Sequence, residues 1–276
     1  MDQDLQLIVN VALTSNNYKL VSDLILKALE NNKYKDIIDS NLHVTFANWL
    51  ALAGEWDAIN AMLPPASNIF ETSGWLKSLI SRRPENANGM PIPWYTYSAI
   101  DFIEPRIKPE WRTFEWGSGF STLWWETRVA QVHSVESNDA WFAEIHGRVR
   151  SNVLMELHND DESYVSSIEH SPYAPFNVIV VDGDHRNACA RHAVKFIAQD
   201  GIIIFDNADG KQFNDGVEFL QEAGWMRIDF FGLIPCYMYK NCTSIFFRDA
   251  AFLRNVVPPS EMNLSTGISC FQRSGV

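Results

Sequence analysis

The stretch Thr113-Phe114-Glu115-Trp116-Gly117-Ser118-Gly119-Phe120-Ser121-Thr122 decides the fold. It reads as a short apolar strand that runs into a glycine turn and then into a helix starting near Ser121. Gly117 and Gly119 let the backbone turn sharply and approach a ligand that a side chain would exclude. The first N–H groups of the helix point back into that turn. A lone Gly-x-Gly is no more than a turn, so its meaning depends on what the chain does on either side.

C-terminal to the turn, strands and helices alternate. Residues 131–136 (QVHSVE), 153–158, 176–182 (FNVIVVD) and 201–206 (GIIIFD) read as strands, and 226–230 and 243–247 as the last two. The run at 176–182 is almost continuously apolar, as expected of a strand buried on both faces. Ser137 or Asn138 can cap the helix after the second strand, whose inner face is Trp141, Ile145 and Val149. Cys189, Ala193, Phe196 and Ile197 mark the helix after the fourth strand, and Phe213, Val217 and Leu220 the one after the fifth. Such alternation implies a mostly parallel sheet with helices on both faces and ligands at the carboxyl ends of the strands.

N-terminal to the turn the pattern is different. Residues 1–82 are helical throughout, with Leu20, Leu24 and Ala28 in one stripe and Val21, Ile25 and Leu29 in its neighbour. One helix ends at Asn31-Asn32, and further helices are expected over 37–53, 55–63 (halted by Pro64-Pro65) and 70–80. Ala12-Leu13 and Ala51-Leu52 form a faint repeat, but two units are too few for a solenoid. Residues 82–93, rich in Pro, Asn and Gly, mark the boundary. The expected domains are therefore a helical extension, 1–85, and an α/β domain, 86–276, in which 94–103 form a helix leading into the first strand.

Composition narrows the functional classes. Twenty-two Lys and Arg face 34 Asp and Glu, a net charge of −12, which disfavours a polyanionic nucleic-acid partner. No apolar run is long enough to span a membrane, and Met1-Asp2-Gln3-Asp4 lacks the basic and apolar order of a signal peptide. Cys189, Cys236, Cys242 and Cys270 form no Cys-x-x-Cys pair and read as reduced thiols, so a cytoplasmic protein is expected. The N-terminal helices offer a surface for a protein partner or for self-association.

Two acidic positions identify the ligand class. Glu115, two residues before the first glycine, would repel a pyrophosphate but receive an ammonium group. Glu136 ends the second strand nineteen positions after Gly117, where a carboxylate accepts hydrogen bonds from ribose hydroxyls. With Glu115 and the Gly-x-Gly turn, the chain resembles the class I S-adenosylmethionine-dependent methyltransferases, and the resemblance implies a Rossmann-like seven-stranded sheet whose seventh strand is antiparallel. It also implies that S-adenosylmethionine is bound by Glu115, Trp116, Gly117, Ser118, Gly119, Ser121, Thr122, Glu136 and Asp182. Asp160 or Asp161 would meet the adenine amino group, and Tyr95 and Thr96 the methionine end.

A second stretch, Val181-Asp182-Gly183-Asp184-His185-Arg186, pairs with Phe205-Asp206-Asn207 at the end of the next strand. Oxygen ligands converging from Asp182, Asp206 and Asn207 suit a hard cation such as Mg²⁺. This arrangement is similar to the catechol, caffeoyl-coenzyme-A and macrolide-sugar O-methyltransferases over roughly residues 94–248. It departs from the catechol type in having His185 where a Lys is usual and Asp200-Gly201 in place of Gly-Gly. The expected catalytic residues are His185, as base, and Asp182. The remaining histidines show no convergent partners in the sequence. The reading is an O-methyltransferase acting on a small-molecule acceptor. A noncatalytic S-adenosylmethionine or nucleotide-binding module and an NAD-dependent oxidoreductase are the alternatives.

Overall fold

The computed structural model describes residues 3–15, 17–31, 33–39, 42–62, 69–254, 257–258 and 261–267. Met1, Asp2, Asn32, Pro64, Pro65 and Cys270, named above, lie outside the described residues. The chain forms two compact units, residues 1–72 and 73–276.

The first unit is helical: α1 (Gln3–Thr14), α2 (Tyr18–Glu30), α3 (Tyr34–Asp39), α4 (His43–Ala53), α5 (Trp56–Met62) and α6 (Ile69–Thr72). Its core gathers Leu5, Ile8, Val21, Ile25, Ile37, Phe46 and Leu50. Of the two expected stripes on α2, the one through Val21 and Ile25 is buried and continues at Ala28, while Leu20 is exposed. The single helix expected over 37–53 is two, α3 and α4. The helix expected over 70–80 is also broken, at Gly74, whose φ of +83° ends one turn and opens α7 (Trp75–Ser81). Gly74 is irreplaceable there, since a Cβ would meet the Asn86 backbone at 2.2 Å.

The second unit is built on seven strands, β1 (Arg112–Trp116), β2 (Gln131–Glu136), β3 (Val153–Leu157), β4 (Phe176–Val181), β5 (Ile197–Asp206), β6 (Met226–Leu233) and β7 (Lys240–Phe247). They lie in the order β3-β2-β1-β4-β5-β7-β6. The first five are mutually parallel, and β7 runs antiparallel to both β5 and β6. With α7, which also belongs to this unit, helices α8 (Tyr97–Ile103), α9 (Phe120–Trp125), α10 (Asp139–His146), α11 (Asp161–Ser166), α12 (Arg186–Phe196) and α13 (Asn214–Glu222) complete it. The Rossmann-like sheet expected from the sequence is therefore present, with the N-terminal helical region ahead of it.

Side-chain alternation makes two cores from one sheet. Val178, Val180, Ile202 and Ile204 face Ile100, Ile103 and Trp125 on one side. Ile179, Val181, Ile203 and Phe205 face Cys189, Ala193, Val217 and Leu220 on the other. This two-sided burial is the reason the runs Val178–Val181 and Ile202–Phe205 lack polar interruptions. The strand expected from Gly201 starts earlier, at Ile197, and its register against β4 shifts between Phe176 and Val178.

Register fixes the site. Trp116 pairs with Val135 on one side and Val181 on the other, and Val181 pairs with Phe205. One residue further on, Glu136, Gly117, Asp182 and Asp206 stand in a row across the carboxyl ends of β2, β1, β4 and β5. The strand order reverses between β1 and β4, and the crevice that opens there is where ligands of open α/β sheets bind.

Candidate functional site

A cleft of about 410 Å³ lies over that row. Its floor includes Gly117, Glu136, Asp182 and Asp206, and its far side Trp94, Tyr237 and Tyr239. A second hollow of about 420 Å³ adjoins it and contains Asp160, Asp161 and His185. Glu136, Ser137, Tyr164 and Asp184 line both, and the Ser137 hydroxyl donates to Asp184 Oδ2 at 2.7 Å along this shared edge.

The glycine turn is shaped by its neighbours in the fold. Gly117 has φ +88°, and a Cβ on it would lie 2.7 Å from the Asp182 carbonyl oxygen and 2.8 Å from Gly183 Cα. The close approach that demands glycine is thus between β1 and β4. Gly119 differs: its backbone is extended, and an added Cβ would make ordinary contact with Trp141 at 3.6 Å. Its N–H donates to Thr122 Oγ1 at 2.9 Å, so this group of the turn is already satisfied from within.

Glu136 is presented to the cleft by its own backbone. Its Oε1 accepts from the N–H groups of Ser137 and Asn138, both at 2.9 Å, and its Oε2 accepts from the Ser118 hydroxyl at 3.1 Å. Each carboxylate oxygen can accept more than one hydrogen bond, so Oε2 retains capacity for a ligand hydroxyl.

Glu115 sits behind the cleft wall. It is fully buried, and its Oε2 accepts from Thr122 at 2.5 Å and from Ser134 at 2.9 Å. Burial pushes its carboxyl up to about 7, against the lowering effect of the Ser121, Thr122 and Ser134 hydroxyls. Of these, Ser121 lines the cleft. Glu115 therefore braces the turn through hydroxyl groups and does not line the cleft itself, contrary to the direct ammonium contact expected from its position.

Other expected contacts are also displaced, each for a local reason. Trp116 is the last residue of β1 and points into the core, donating its indole N–H to the Tyr164 carbonyl at 3.0 Å. Thr122 is consumed by Glu115 and Gly119. Thr96 caps α8, donates to the Phe230 carbonyl and is fully buried, and Tyr95 is buried in the core beside Trp125. The helix expected over 94–103 starts only after this cap. Asp160 caps α11 by accepting from the Ser163 N–H. Asp161 lies 3.1 Å from His185 Nε2. His185 itself has a left-handed backbone, φ +50°, which aims its ring at Asp161 in the second hollow. It does not line the cleft that holds Asp182, so the expected His185–Asp182 pair is not assembled.

At the carboxyl ends of β4 and β5 the structure corrects the metal expectation. The guanidinium of Arg186 lies between Asp182, Asp206 and Asn207. Its Nη1 donates to the Asp206 carbonyl at 2.6 Å and to Asn207 Oδ1 at 2.8 Å, and its Nη2 lies 3.2 Å from Asp182 Oδ1. The Asp206 carboxyl is held from elsewhere: its Oδ1 accepts from Thr243 at 2.5 Å and its Oδ2 from Asn241 at 3.5 Å. Asp182 and Asn207 thus face a fixed cation of the protein's own while the Asp206 carboxyl is bonded to Thr243 and Asn241, and the three do not fit a divalent ion. Among the described residues, no group of three or more His, Cys, Asp or Glu side chains is arranged to hold a metal.

Both acids are strongly perturbed. Burial pushes Asp182 up to about 6, opposed by Arg186. Burial and the charge of Asp182 push Asp206 up further. Two neighbouring buried carboxyls of like charge favour sharing a proton until another cation arrives.

The aromatic wall was not legible in the sequence. Trp94 stacks on Tyr237 (5.7 Å, 19° between planes), and Tyr237 on Tyr239 (4.9 Å, 27°). The loop between β6 and β7 that carries the two tyrosines is pinned by Trp75, whose indole N–H reaches the Ile234 and Tyr237 carbonyls, and by Trp94, which donates to Pro235. The histidines hold one further difference: His133 contacts both Ser171 and Glu156, and Glu156 also meets His158.

No protein-family model and no curated protein matches the chain. Solved structures resemble it over part of the chain. A proposed methyltransferase from Streptococcus mutans in complex with SAH is 10% identical over 54% of this chain and 96% of that one, with a TM-score of 0.43. The precorrin 8w decarboxylase of Methanobacterium thermoautotrophicum is 16% identical over 62% and 98%, with a TM-score of 0.43. A proposed O-methyltransferase from Klebsiella pneumoniae is 16% identical over 72% and 97%, also with a TM-score of 0.43. No helix among the described residues is long and apolar enough to cross a membrane.

Proposed function

We propose that the chain is an S-adenosylmethionine-dependent methyltransferase acting on the oxygen of a small, planar acceptor. The observation that carries this reading is the charge of the cleft. Glu136, Asp182, Asp184 and Asp206 line it, against the single guanidinium of Arg186. Such a floor repels a pyrophosphate and attracts a ligand with an ammonium and a sulfonium. The same argument disfavours a dinucleotide, as does the Gly119 N–H already bound to Thr122.

In this reading Glu136 Oε2 receives the ribose hydroxyls, and Gly117 lets the cofactor approach the β1 end. When bound, S-adenosylmethionine supplies a methyl carbon on a positive sulfur; an acceptor lone pair takes that carbon while the carbon–sulfur bond breaks and its electron pair stays on sulfur. Asp182 and Asp206 favour the cationic ligand and stand where the acceptor's hydroxyl proton can be received, Asp206 having the raised basicity that a proton acceptor needs. The base role thereby moves from His185 to the Asp182–Asp206 pair. The stacked row of Trp94, Tyr237 and Tyr239 presents a flat π surface, which suits a planar acceptor, and it holds that acceptor beside the transfer point.

Calorimetric titration of the full chain with S-adenosylmethionine and with NAD tests the reading. Binding of the first and not the second is expected, and Glu136→Ala should weaken it by about 1.5–3 kcal/mol per lost charge-assisted hydrogen bond. NAD binding in preference would overturn it. Turnover of labelled methyl groups onto an acceptor panel separates an enzyme from a noncatalytic binding module.

A further inference from the structure

The resemblance implies a divalent cation at the ends of β4 and β5, and the structure puts an arginine there. A guanidinium carries five N–H groups and no acceptor. In Arg186 four of them donate to protein oxygens, and the group also forms an ion pair. Nε–H donates to the Gly183 carbonyl at 2.9 Å. Nη1 serves the Asp206 carbonyl and Asn207 Oδ1. Nη2 donates to the Asp182 carbonyl at 3.2 Å and lies 3.2 Å from Asp182 Oδ1 in an ion pair. The Phe213 ring covers the group, with its centroid 4.8 Å from Cζ.

The oxygens so gathered are of the kind a hard cation collects: a carboxylate, a side-chain amide and backbone carbonyls. The backbone around them is bent to deliver them. His185 and Asn207, the residues before Arg186 and after Asp206, both take left-handed conformations, at φ +50° and +53°. A non-glycine residue held there costs free energy and persists only where its surroundings demand it. Here each left-handed residue flanks the clamp, one at each strand end, and the turn at Asn207 accompanies the delivery of its amide oxygen to Nη1. The side chain of Arg186 is only 11% exposed, so the cation is a built part of the cleft floor.

We infer that Arg186 takes the place of a divalent cation in this site: a resident guanidinium that positions Asp182, Asn207 and the two strand ends. Two consequences separate it from a metal. A metal ion can take an acceptor oxygen as a further ligand and polarise it, whereas a guanidinium has no open coordination position, and here four of its five N–H groups are spent on protein oxygens. Arg186 is accordingly a positioning residue, and proton removal falls to the carboxylates. The second consequence is that the oxygen cage belongs to whichever cation occupies it. Removing the guanidinium leaves Asp182, Asn207 and the carbonyls converging on an empty centre.

The test uses the full-length protein and Mn²⁺ as a paramagnetic probe, read by the loss of the free-ion resonance. The parent is expected to take up no stoichiometric Mn²⁺. Arg186→Ala is expected to gain a site at least about tenfold tighter than any in the parent, and the double variant with Asp182→Asn to lose it. Methylguanidinium at millimolar concentration should compete with Mn²⁺ in Arg186→Ala and raise its melting midpoint, with no effect on the parent. In Arg186→Lys, which keeps the charge but has three donors, S-adenosylhomocysteine affinity should fall by about tenfold. That last arm rests on the proposed function, while the Mn²⁺ arms do not involve the cofactor. Asp182-dependent uptake of Mn²⁺ by the parent would overturn the inference even if no variant folds. So would an Arg186→Ala protein that gains no Mn²⁺ site and does not respond to methylguanidinium.

Discussion

The hydroxyl of Thr122 donates to Glu115 Oε2 at 2.5 Å, across seven residues of chain and from inside the first turn of α9. A carboxyl group with no exposed surface is thereby held at the root of the glycine turn, where burial raises its pKa. The folded protein binds the Glu115 proton more tightly than the unfolded chain, with the midpoint moved from 4.5 to about 7. Its favourable contribution is complete below the unfolded value and is lost as pH rises through the folded one. At ~1.4 kcal/mol per pKa unit this amounts to about 3 kcal/mol as an upper bound. Glu115→Gln cannot ionise. The stability difference between parent and variant, from denaturant unfolding, should shift in favour of the variant between pH 5 and pH 8. A difference that is flat with pH would show that Glu115 is ionised throughout.

The two glycines of the turn should separate under substitution. Gly117→Ala places a Cβ 2.7–2.8 Å from the β4 backbone, at a φ of +88°, and should cost on the order of 1–3 kcal/mol or more of stability. Gly119→Ala has room at 3.6 Å from Trp141 and should leave the melting midpoint nearly unchanged. Because Gly119 lines the cleft, its variant should show its effect in S-adenosylmethionine affinity. Equal losses of stability in both would contradict the contacts described here.

Cation binding beside Asp182 should release a proton. The carboxyl, pushed up to about 6 by burial, is partly protonated in the free protein below that pH, and a positive ligand favours its ionised form. Affinity for S-adenosylmethionine should therefore rise with pH through about 6 and level off above it. Calorimetry near pH 6 in buffers of different ionisation enthalpy should register proton release. In Asp182→Asn this part of the pH dependence should vanish.

The N-terminal helices should be removable, but the place of the cut matters. Trp75 lies on α7 and bonds the Ile234 and Tyr237 carbonyls of the aromatic wall. A chain starting at Ser73 should bind S-adenosylhomocysteine as the parent does. One starting near Gly89 retains Gly117, Glu136 and Asp182 but loses Trp75. It should still bind, with a lower melting midpoint and a loop from Ile234 to Tyr239 that is cleaved faster by protease. Loss of all affinity in the Ser73 chain would tie residues 1–72 to the pocket.

What the sequence displayed and what it concealed divide along a physical line. Gly117, Glu136, Asp182 and Asp206 were legible because each ends an apolar strand, and parallel register brings strand ends to one level. Side-chain direction was not. His185 and Arg186 are neighbours in sequence, yet the left-handed turn at His185 sends one ring towards Asp161 and leaves the other side chain beneath Asp182. Arg186 was visible only as the start of a helix, although its four-residue spacing from Asp182 is the one that brings charges together. Tyr95 and Thr96 were drawn to the wrong place because Thr96 is the cap of α8, which fixes both residues against the core. The wall of Trp94, Tyr237 and Tyr239 joins segments more than 140 residues apart in the chain, and no local pattern announces such a meeting.

The loop from Ile234 to Tyr239 joins β6 to β7, which are adjacent and antiparallel. A hairpin connection of this kind can lengthen, shorten or change composition while the strands on either side keep their pairing. The residues over the ends of β1, β2 and β4 have no such freedom, because they sit in crossovers whose geometry the parallel sheet dictates. Under the proposed function, selection can consequently exchange the molecule to be modified by rewriting six residues at the rim, while the machinery that handles the donor passes unaltered from one descendant to the next.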